Sequence, residues 1–406
     1  MRNAILVLSL LAGCVPAEPP EEPEGKAPEE GRTAAMKTYG DDLAFLREHQ
    51  NVIELSDSSG MARVAVVAEY QGRVMTSTSA GAGGPSFGWL NREAIAAKER
   101  KPHINVFGGE DRFWLGPEGG QYSIFFAPGD PFDLEHWQTP EPIDWGPWEL
   151  VEQSASAVQF RKTIDLVNYA GTKLSLEARR VIRMVEPPAS GAEAVAYESE
   201  NTITNTGEKA WTKETGLLSV WILGMFNPSP TTTIVLPFTP GPEDELGPIV
   251  NDAYFGKVPA DRLFVGDGVL YFRGDGMHRS KIGIPRKRAR PVMGSYDSGG
   301  EVLTVVEYSL PEGATDYVNS MWEISDAPYG GDVANSYNDG PPAPGAPPLG
   351  PFYELESSSP AAELAPGESL THRHRTIHFR GSEAELEAVA KNALGVSIAD
   401  IVSAFQ

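Results

Sequence analysis

Glu354 and Glu356 stand two residues apart in Phe352-Tyr353-Glu354-Leu355-Glu356-Ser357. On a β-strand they share one face, while Tyr353 and Leu355 take the other. Two carboxyls on one face are either solvated or converge on a site, and convergence raises one pKa and permits general acid/base chemistry. Upstream, Glu118 and Gln121 lie in a stretch dense in rings. Four of the eight Trp residues (Trp114, Trp137, Trp145 and Trp148) fall there, with Phe113, Tyr122, Phe125, Phe126 and Phe132 among them. Sugars present C–H faces that stack on indole and hydroxyls that need carboxylate or amide partners, so this mixture suits a glycan cleft. The alternative is that the rings fill a core between two sheets. Trp137 and Trp145, set among Pro and charged residues, are the better candidates for exposure. A further polar cluster, Asn335-Ser336-Tyr337-Asn338-Asp339-Gly340, offers Tyr337, Asn338 and Asp339 as sugar contacts.

His372, His374 and His378 share strand parity, opposite Arg373, Arg375, Ile377 and Phe379. This reads as a solvent-facing or cleft-lining histidine face, with His374 a candidate contact. His378 lies about 13 Å along the strand from His374, so it cannot join His372 and His374 as a ligand. Two ligands are too few for a structural metal site, and neither a metal nor a cofactor is expected. The basic patch is His278-Arg279-Ser280-Lys281 with Arg286-Lys287-Arg288-Ala289-Arg290, six Lys/Arg in thirteen residues. It suits an anionic sugar, a lipid headgroup or a phosphate; the alternative is an exposed hairpin balancing nearby acids. The chain contains no Walker loop, His-Glu-x-x-His or Cys-x-x-Cys pattern.

The 406 residues carry 56 Asp+Glu against 33 Lys+Arg, a net charge of −23, which opposes nucleic-acid binding as a main role. The single cysteine excludes an intrachain disulfide framework. After Met1-Arg2-Asn3, the uncharged apolar run Ala4 to Ala12 is too short to cross a bilayer and reads as a signal-peptide core. It ends in Leu11-Ala12-Gly13-Cys14, which resembles the lipobox of bacterial lipoproteins. That resemblance implies loss of residues 1–13, acylation of Cys14 and, with Val15 rather than Asp next, an outer-membrane destination facing either side. Multiple acyl chains give stable anchoring. From Val15 to Ala35 eleven of 21 residues are Pro or Glu, so 14–35 reads as an extended tether. A net −20 remains on residues 36–406, so the acidity belongs to the domain itself.

From about residue 51 the dominant period is two. Arg63–Val67 and Arg73–Thr76 flank Gln71-Gly72, a hairpin signal. Further strands are expected at Gln121–Phe126, Ala157–Leu166, Lys173–Met184, Ala194–Asn205, Leu217–Met225, Thr231–Pro237 and Arg262–Phe272. Others are expected at Glu301–Leu310, Asn319–Ile324, Phe352–Glu356 and His372–Phe379. Short helices are expected at Asp41–His49 and Asn91–Arg100, and a clearer one where Ser382-x-x-Glu385 has capping-box form. The pattern predicts an all-β fold of large antiparallel sheets spanning 36–380, with a helical tail over 381–406.

The order of these pieces carries a resemblance. Ala62-Arg63-Val64-Ala65-Val66 with Gln71-Gly72-Arg73-Val74 looks like the first hairpin of galactose mutarotase-like proteins. Glu354-Leu355-Glu356-Ser357, Leu364-Ala365-Pro366-Gly367-Glu368-Ser369 and Arg375-Thr376-Ile377-His378-Phe379 are similar to that superfamily's closing strands. Arg112–Gln121 and Asn335–Pro341 look like hallmarks of one uncharacterised bacterial family within it. The resemblance implies a β-supersandwich with a glycan cleft on a concave sheet. It also implies a closing glutamate as general base, best matched by Glu356 with Glu354 as the other register. Where an epimerase carries its acid histidine, this chain has Leu, Ser or Trp around Leu217–Trp221, so His278 and Glu118 become the candidate partners. The expected function is a lipid-anchored envelope protein that binds or processes a carbohydrate by epimerase-, lyase- or hydrolase-like chemistry. The alternative is a noncatalytic glycan-binding or assembly lipoprotein.

Overall fold

Apolar–polar alternation from 157 to 205 folds as three long paired strands, with Val158, Phe160, Ile164 and Leu166 turned inward and Arg161 and Asp165 in water. The computed structural model describes residues 37–343 and 345–406; the expected signal segment, Cys14 and the tether lie outside the described residues. A small sheet holds β1 (Val52–Ser56), β2 (Arg63–Val67) and β3 (Arg73–Thr78). A five-stranded sheet runs β13 (Ser280–Pro285), β16 (Asp332–Asn338), β17 (Tyr353–Ser358), β9 (Ser219–Phe226), β4 (Arg112–Gly116). A ten-stranded sheet begins β11 (Leu263–Val265), β12 (Val269–Arg273), β10 (Thr232–Pro237), β14 (Val292–Asp297), β15 (Val302–Tyr308). It continues β18 (Ser369–Arg380), β8 (Glu193–Asn205), β7 (Lys173–Met184), β6 (Ala157–Val167), β5 (Glu149–Gln153). The ladders within these sheets are antiparallel, as the period-two reading requires.

The two large sheets bury their facing sides against each other. Phe113, Leu115 and Ile222 of the five-stranded sheet meet Phe160, Ile164, Leu176 and Ile203 of the ten-stranded one. Ile282, Ile284 and Leu355 meet Ile234, Leu270, Phe272 and Val306. Each such side chain contributes about 1.5–3 kcal/mol on burial. Arg180 crosses this core fully buried, its guanidinium donating to Asp111 Oδ1 at 2.5 Å and Asn201 Oδ1 at 2.8 Å. On the far side of the ten-stranded sheet, Ile377, Phe379, Leu303 and Val305 are covered by two helices, Glu383–Leu394 and Ile398–Ser403. The first carries the expected Ser382/Glu385 capping box; the second was not foreseen.

Three expected strands are corrected, the first because Arg262–Phe272 folds as the antiparallel pair β11 and β12 and not as one strand. Gln121–Phe126 and Asn319–Ile324 form turns, not strands. Ile124, Phe125 and Phe126 reach the core from a loop, which satisfies their hydrophobicity without a ladder. The intended hairpin at Gln71-Gly72 forms, with a short 3-10 turn over Ala68–Tyr70 ahead of it.

Candidate functional site

β17 is the central strand of the five-stranded sheet, and β4 and β13 are its edges. Tyr353 and Leu355 enter the intersheet core, so Glu354 and Glu356 take the opposite face. Tyr337 and Met225 flank Glu354; Asn335 and Leu223 flank Glu356. From one edge, Arg112 Nη2 donates to Glu354 Oε1 at 3.1 Å. From the other, Lys281 Nζ donates to Glu356 Oε2 at 2.9 Å, and Trp221 Nε1 donates to the same oxygen at 2.9 Å. Each carboxylate of the central strand is thus tied to a cation from an opposite edge. The Arg112 guanidinium lies 4.0 Å from the centre of the Trp114 ring system and the Lys281 ammonium 4.7 Å from that of Trp221, cation–π contacts that fix both indoles.

Over this face lies a cavity of about 230 Å³. At about 30 Å³ per water it has room for seven or eight waters, the scale of one sugar ring. Its floor is Arg112, Trp114, Trp221, Lys281, Tyr337 and Glu354; Glu118, Trp137, Trp322 and Phe352 wall it. The rim, with Leu134 58%, Leu349 47% and Phe255 42% exposed, opens to solvent. The walls come from loops with specific ties. Glu118 N–H donates to Ser320 Oγ at 3.2 Å. The Gln121 amide clamps Ser325 at both ends, donating to its carbonyl at 2.7 Å and accepting from its N–H at 3.2 Å. The loop so held carries Trp322, which stacks on Trp137 at 6.1 Å, and Trp137 stacks on Phe125 at 6.0 Å.

Burial governs the site's ionisation. It pushes the Glu354 carboxyl up to about 8, against Arg112 and with help from the neighbouring Glu356 charge. Burial also raises Glu118, opposed by Lys281, and raises Asp339, opposed by the Tyr337 hydroxyl. For Lys281 burial acts downward, but the Glu356 and Glu118 charges more than offset it and hold the ammonium above its ordinary range. A carboxyl kept neutral by burial at the cavity floor, as Glu354 is, can donate a proton to a bound oxygen.

Of the residues singled out from sequence, Trp114, Glu118, Trp137, Tyr337, Asp339 and Glu354 line this one cavity. Glu356 lies just beneath it, fully buried under Lys281. Gln121 acts one step back, on the Trp322 loop. Asn338 points to the other side of β16, where its amide donates to the His278 carbonyl at 2.9 Å and accepts from Gly276 N–H at 2.8 Å. His278 is exposed and outside the cavity, which Arg279 and Lys281 line instead. The proposed acid role of His278 is therefore corrected: its side chain does not line the cavity.

The histidine face is corrected as well. His372 Nε2 and His374 Nδ1 both meet Ser357 Oγ at 2.8 Å, buried between the sheets and away from the cavity. Burial pushes them down to about 3 and about 4, so both are neutral core struts at neutral pH. His378 joins the same layer through Glu110 Oε2 at 3.0 Å. Trp145 packs on Phe107 at 5.8 Å instead of entering the cleft. The second half of the basic patch is structural: Arg288 is fully buried and donates to the carbonyls of Gly247 (2.7 Å) and Gly241 (3.0 Å). Arg112, Trp221 and Trp322 are site residues that the sequence reading did not select, and Lys281, named there only in the basic patch, was not joined to the glutamates. For Arg112, Trp221 and Lys281 the signal was parity: 112 with 114, 221 with 223 and 225, and 281 with 279.

A two-sheet, all-β protein with an aromatic, charge-paired cleft over its smaller large sheet is thereby defined. The chain belongs to a family of unknown function, DUF6786, which matches residues 37–405. None of the curated proteins matches it. Among solved structures it is similar to Slr1438 from Synechocystis sp. PCC 6803 (TM-score 0.48, 14% identity, 82% of this chain and 96% of that one). It is similar to a putative aldose 1-epimerase from Escherichia coli K12 (TM-score 0.47, 12% identity, covering 81% and 98%). It is also similar to a galactose mutarotase-like protein from Lactobacillus casei (TM-score 0.47, 12% identity, covering 81% and 100%).

Proposed function

We propose that this chain is an envelope lipoprotein, anchored through Cys14 in the outer membrane, whose cleft binds a carbohydrate and acts on it by proton transfer. The observation that supports this most directly is the convergence of four indoles (Trp114, Trp137, Trp221, Trp322) with Glu118 and Glu354 around one ring-sized cavity. Indole faces suit sugar C–H faces, and a few fixed carboxyls among apolar walls suit hydroxyls. In the catalytic form of the reading Glu354 supplies the proton and Glu118 faces it across the cavity. The withdrawal of Glu356 into an ion pair with Lys281 favours a second reading, noncatalytic glycan binding. No cofactor enters either reading, and nucleic acid is not a partner.

Binding to an array of plant, algal and bacterial glycans, followed by titration of hits through tryptophan fluorescence, tests the proposal. Trp137→Ala should weaken binding at least about fivefold. Glu354→Gln should abolish turnover and keep affinity if the protein is an enzyme, and change neither if it only binds. A blank array would sink the carbohydrate reading. Metabolic labelling with an alkyne fatty acid, lost in Cys14→Ala, tests the anchor.

A further inference from the structure

Arg279, just ahead of β13, and Lys281, its second residue, both line the cavity, which brings two cations to one site. Their neighbours in the basic patch, Arg286 and Arg288, spend their N–H groups on backbone carbonyls. Arg279 does not. Its guanidinium stacks on the half-exposed Phe255 ring at 3.9 Å, and among the described residues it forms no ion pair with a carboxylate. The carboxyl whose field it feels, Asp339, is already held by the Tyr337 hydroxyl at 2.7 Å and by Gly350 N–H at 2.8 Å. Stacking engages the flat face of a guanidinium; of its in-plane edge, which recognises planar or tetrahedral oxyanions in a two-pronged manner, Arg279 gives a hydrogen bond to the Tyr337 hydroxyl and none to a carboxylate among the described residues. Lys281 has three N–H donors and one carboxylate partner.

We infer that the carbohydrate taken by this cleft is an acidic one, bearing a carboxylate or a sulfate or phosphate ester that Arg279 receives at the mouth with Lys281 behind it. This inference rests on the carbohydrate reading above. Three acids, Glu118, Asp339 and Glu354, line the same space and Glu356 lies beneath it, and each has a reason not to cancel the attraction. Glu354 is tied to Arg112, Glu356 to Lys281 and Asp339 to Tyr337, while burial favours the neutral form of Glu118, Glu354 and Asp339. On a chain of net −23, a cation in a cleft without a carboxylate of its own is a local reversal of sign that neutral sugars do not need.

The test uses matched glycans that differ only in charge: neutral members, their uronic-acid counterparts, and their sulfated and phosphorylated counterparts, titrated against the full protein. Acidic members should bind about tenfold tighter than neutral ones, and the preference should shrink with added salt. Arg279→Gln should bring the ratio of acidic to neutral affinity down to about one. Phe255→Ala, which keeps the charge but removes its platform, should reduce it in part. The uronic and ester arms distinguish which oxyanion is read. Equal binding of neutral and acidic members, or a preference that survives Arg279→Gln, overturns the inference and leaves the carbohydrate reading standing. Failure of every glycan to bind overturns both.

Discussion

Replacing Lys281 with Met should destabilise the protein by about 3–5 kcal/mol at pH 7, and the deficit should depend on pH. The ammonium sits 2.9 Å from Glu356 Oε2, with side-chain exposures of 9% and 0%, so solvent screens the pair little. At an effective dielectric of about 20, charges at that distance attract by about 6 kcal/mol, enough to offset much of the cost of burying both. Without Lys281, Glu356 keeps only the Trp221 N–H on Oε2, and its Oε1 already has no hydrogen-bond partner. A lone buried carboxylate lowers its cost by taking up a proton, so the deficit of the variant should shrink as pH falls toward 4. Lys281→Met combined with Glu356→Gln should recover to within about 1 kcal/mol of the parent, because it removes both charges. In the parent, the ammonium is held above its ordinary value, so its contribution is present through neutral pH and lost only as pH climbs past 10.5. Urea unfolding followed by tryptophan fluorescence at pH 4.5, 7 and 10.5 measures all of this. A deficit below about 1 kcal/mol, or one that does not change with pH, would refute the view that this pair is the electrostatic frame of the cleft.

Glu354, pushed up to about 8, keeps in the native state a proton that the unfolded chain has released, so stability should decline as pH rises from 4.5 to 8. Glu354→Gln should flatten that decline, as urea midpoints taken at half-unit steps will show; an unchanged slope counts against it. His372 and His374 are held down to about 3 and about 4, so their contribution is present above 6.5 and lost as pH falls through those values. Imidazole carbon shifts followed by NMR should show no titration near 6.5 for either residue, and a midpoint there would contradict the buried placement. Gln121→Ala removes both ties to Ser325, which should cost about 1–2 kcal/mol of stability and weaken glycan binding several-fold by releasing Trp322. Loss of stability with unchanged binding would detach that loop from the site.

The fold was legible where one sheet face meets water. β6 and β7 alternate buried and exposed positions along their length, and both were bounded to within a residue. The buried side of β17 was equally plain, since Tyr353 and Leu355 could belong only to the core if Glu354 and Glu356 did not. The histidine face of β18 misled for the converse reason. His372, His374 and His378 have polar parity, but the face they occupy is the inner one, and the apolar Ile377 and Phe379 lie under the terminal helices. The strand's solvent face is the one that carries Arg373 and Arg375 and then passes under the helices at Ile377 and Phe379, so polarity on both faces could not say which one was buried.

The same physics explains why the site's own strands were hardest to see. β4, β9, β16 and β17 are buried at every position, and β13 at all but its last, because their second face is roofed by the cleft walls instead of by water. Alternation disappears when both faces are covered. β4, β13 and β16 were accordingly not recognised as strands, and with them went Arg112 and the pairing of Lys281 with Glu356. In such strands a charged residue has no solvent face to occupy, so it is paired across the sheet or faces a ligand. Arg112, Lys281, Glu354 and Glu356 meet the first condition with one another. Arg279, adjoining the same edge strand and facing the same cavity, has no such partner among the described residues and so points to the second.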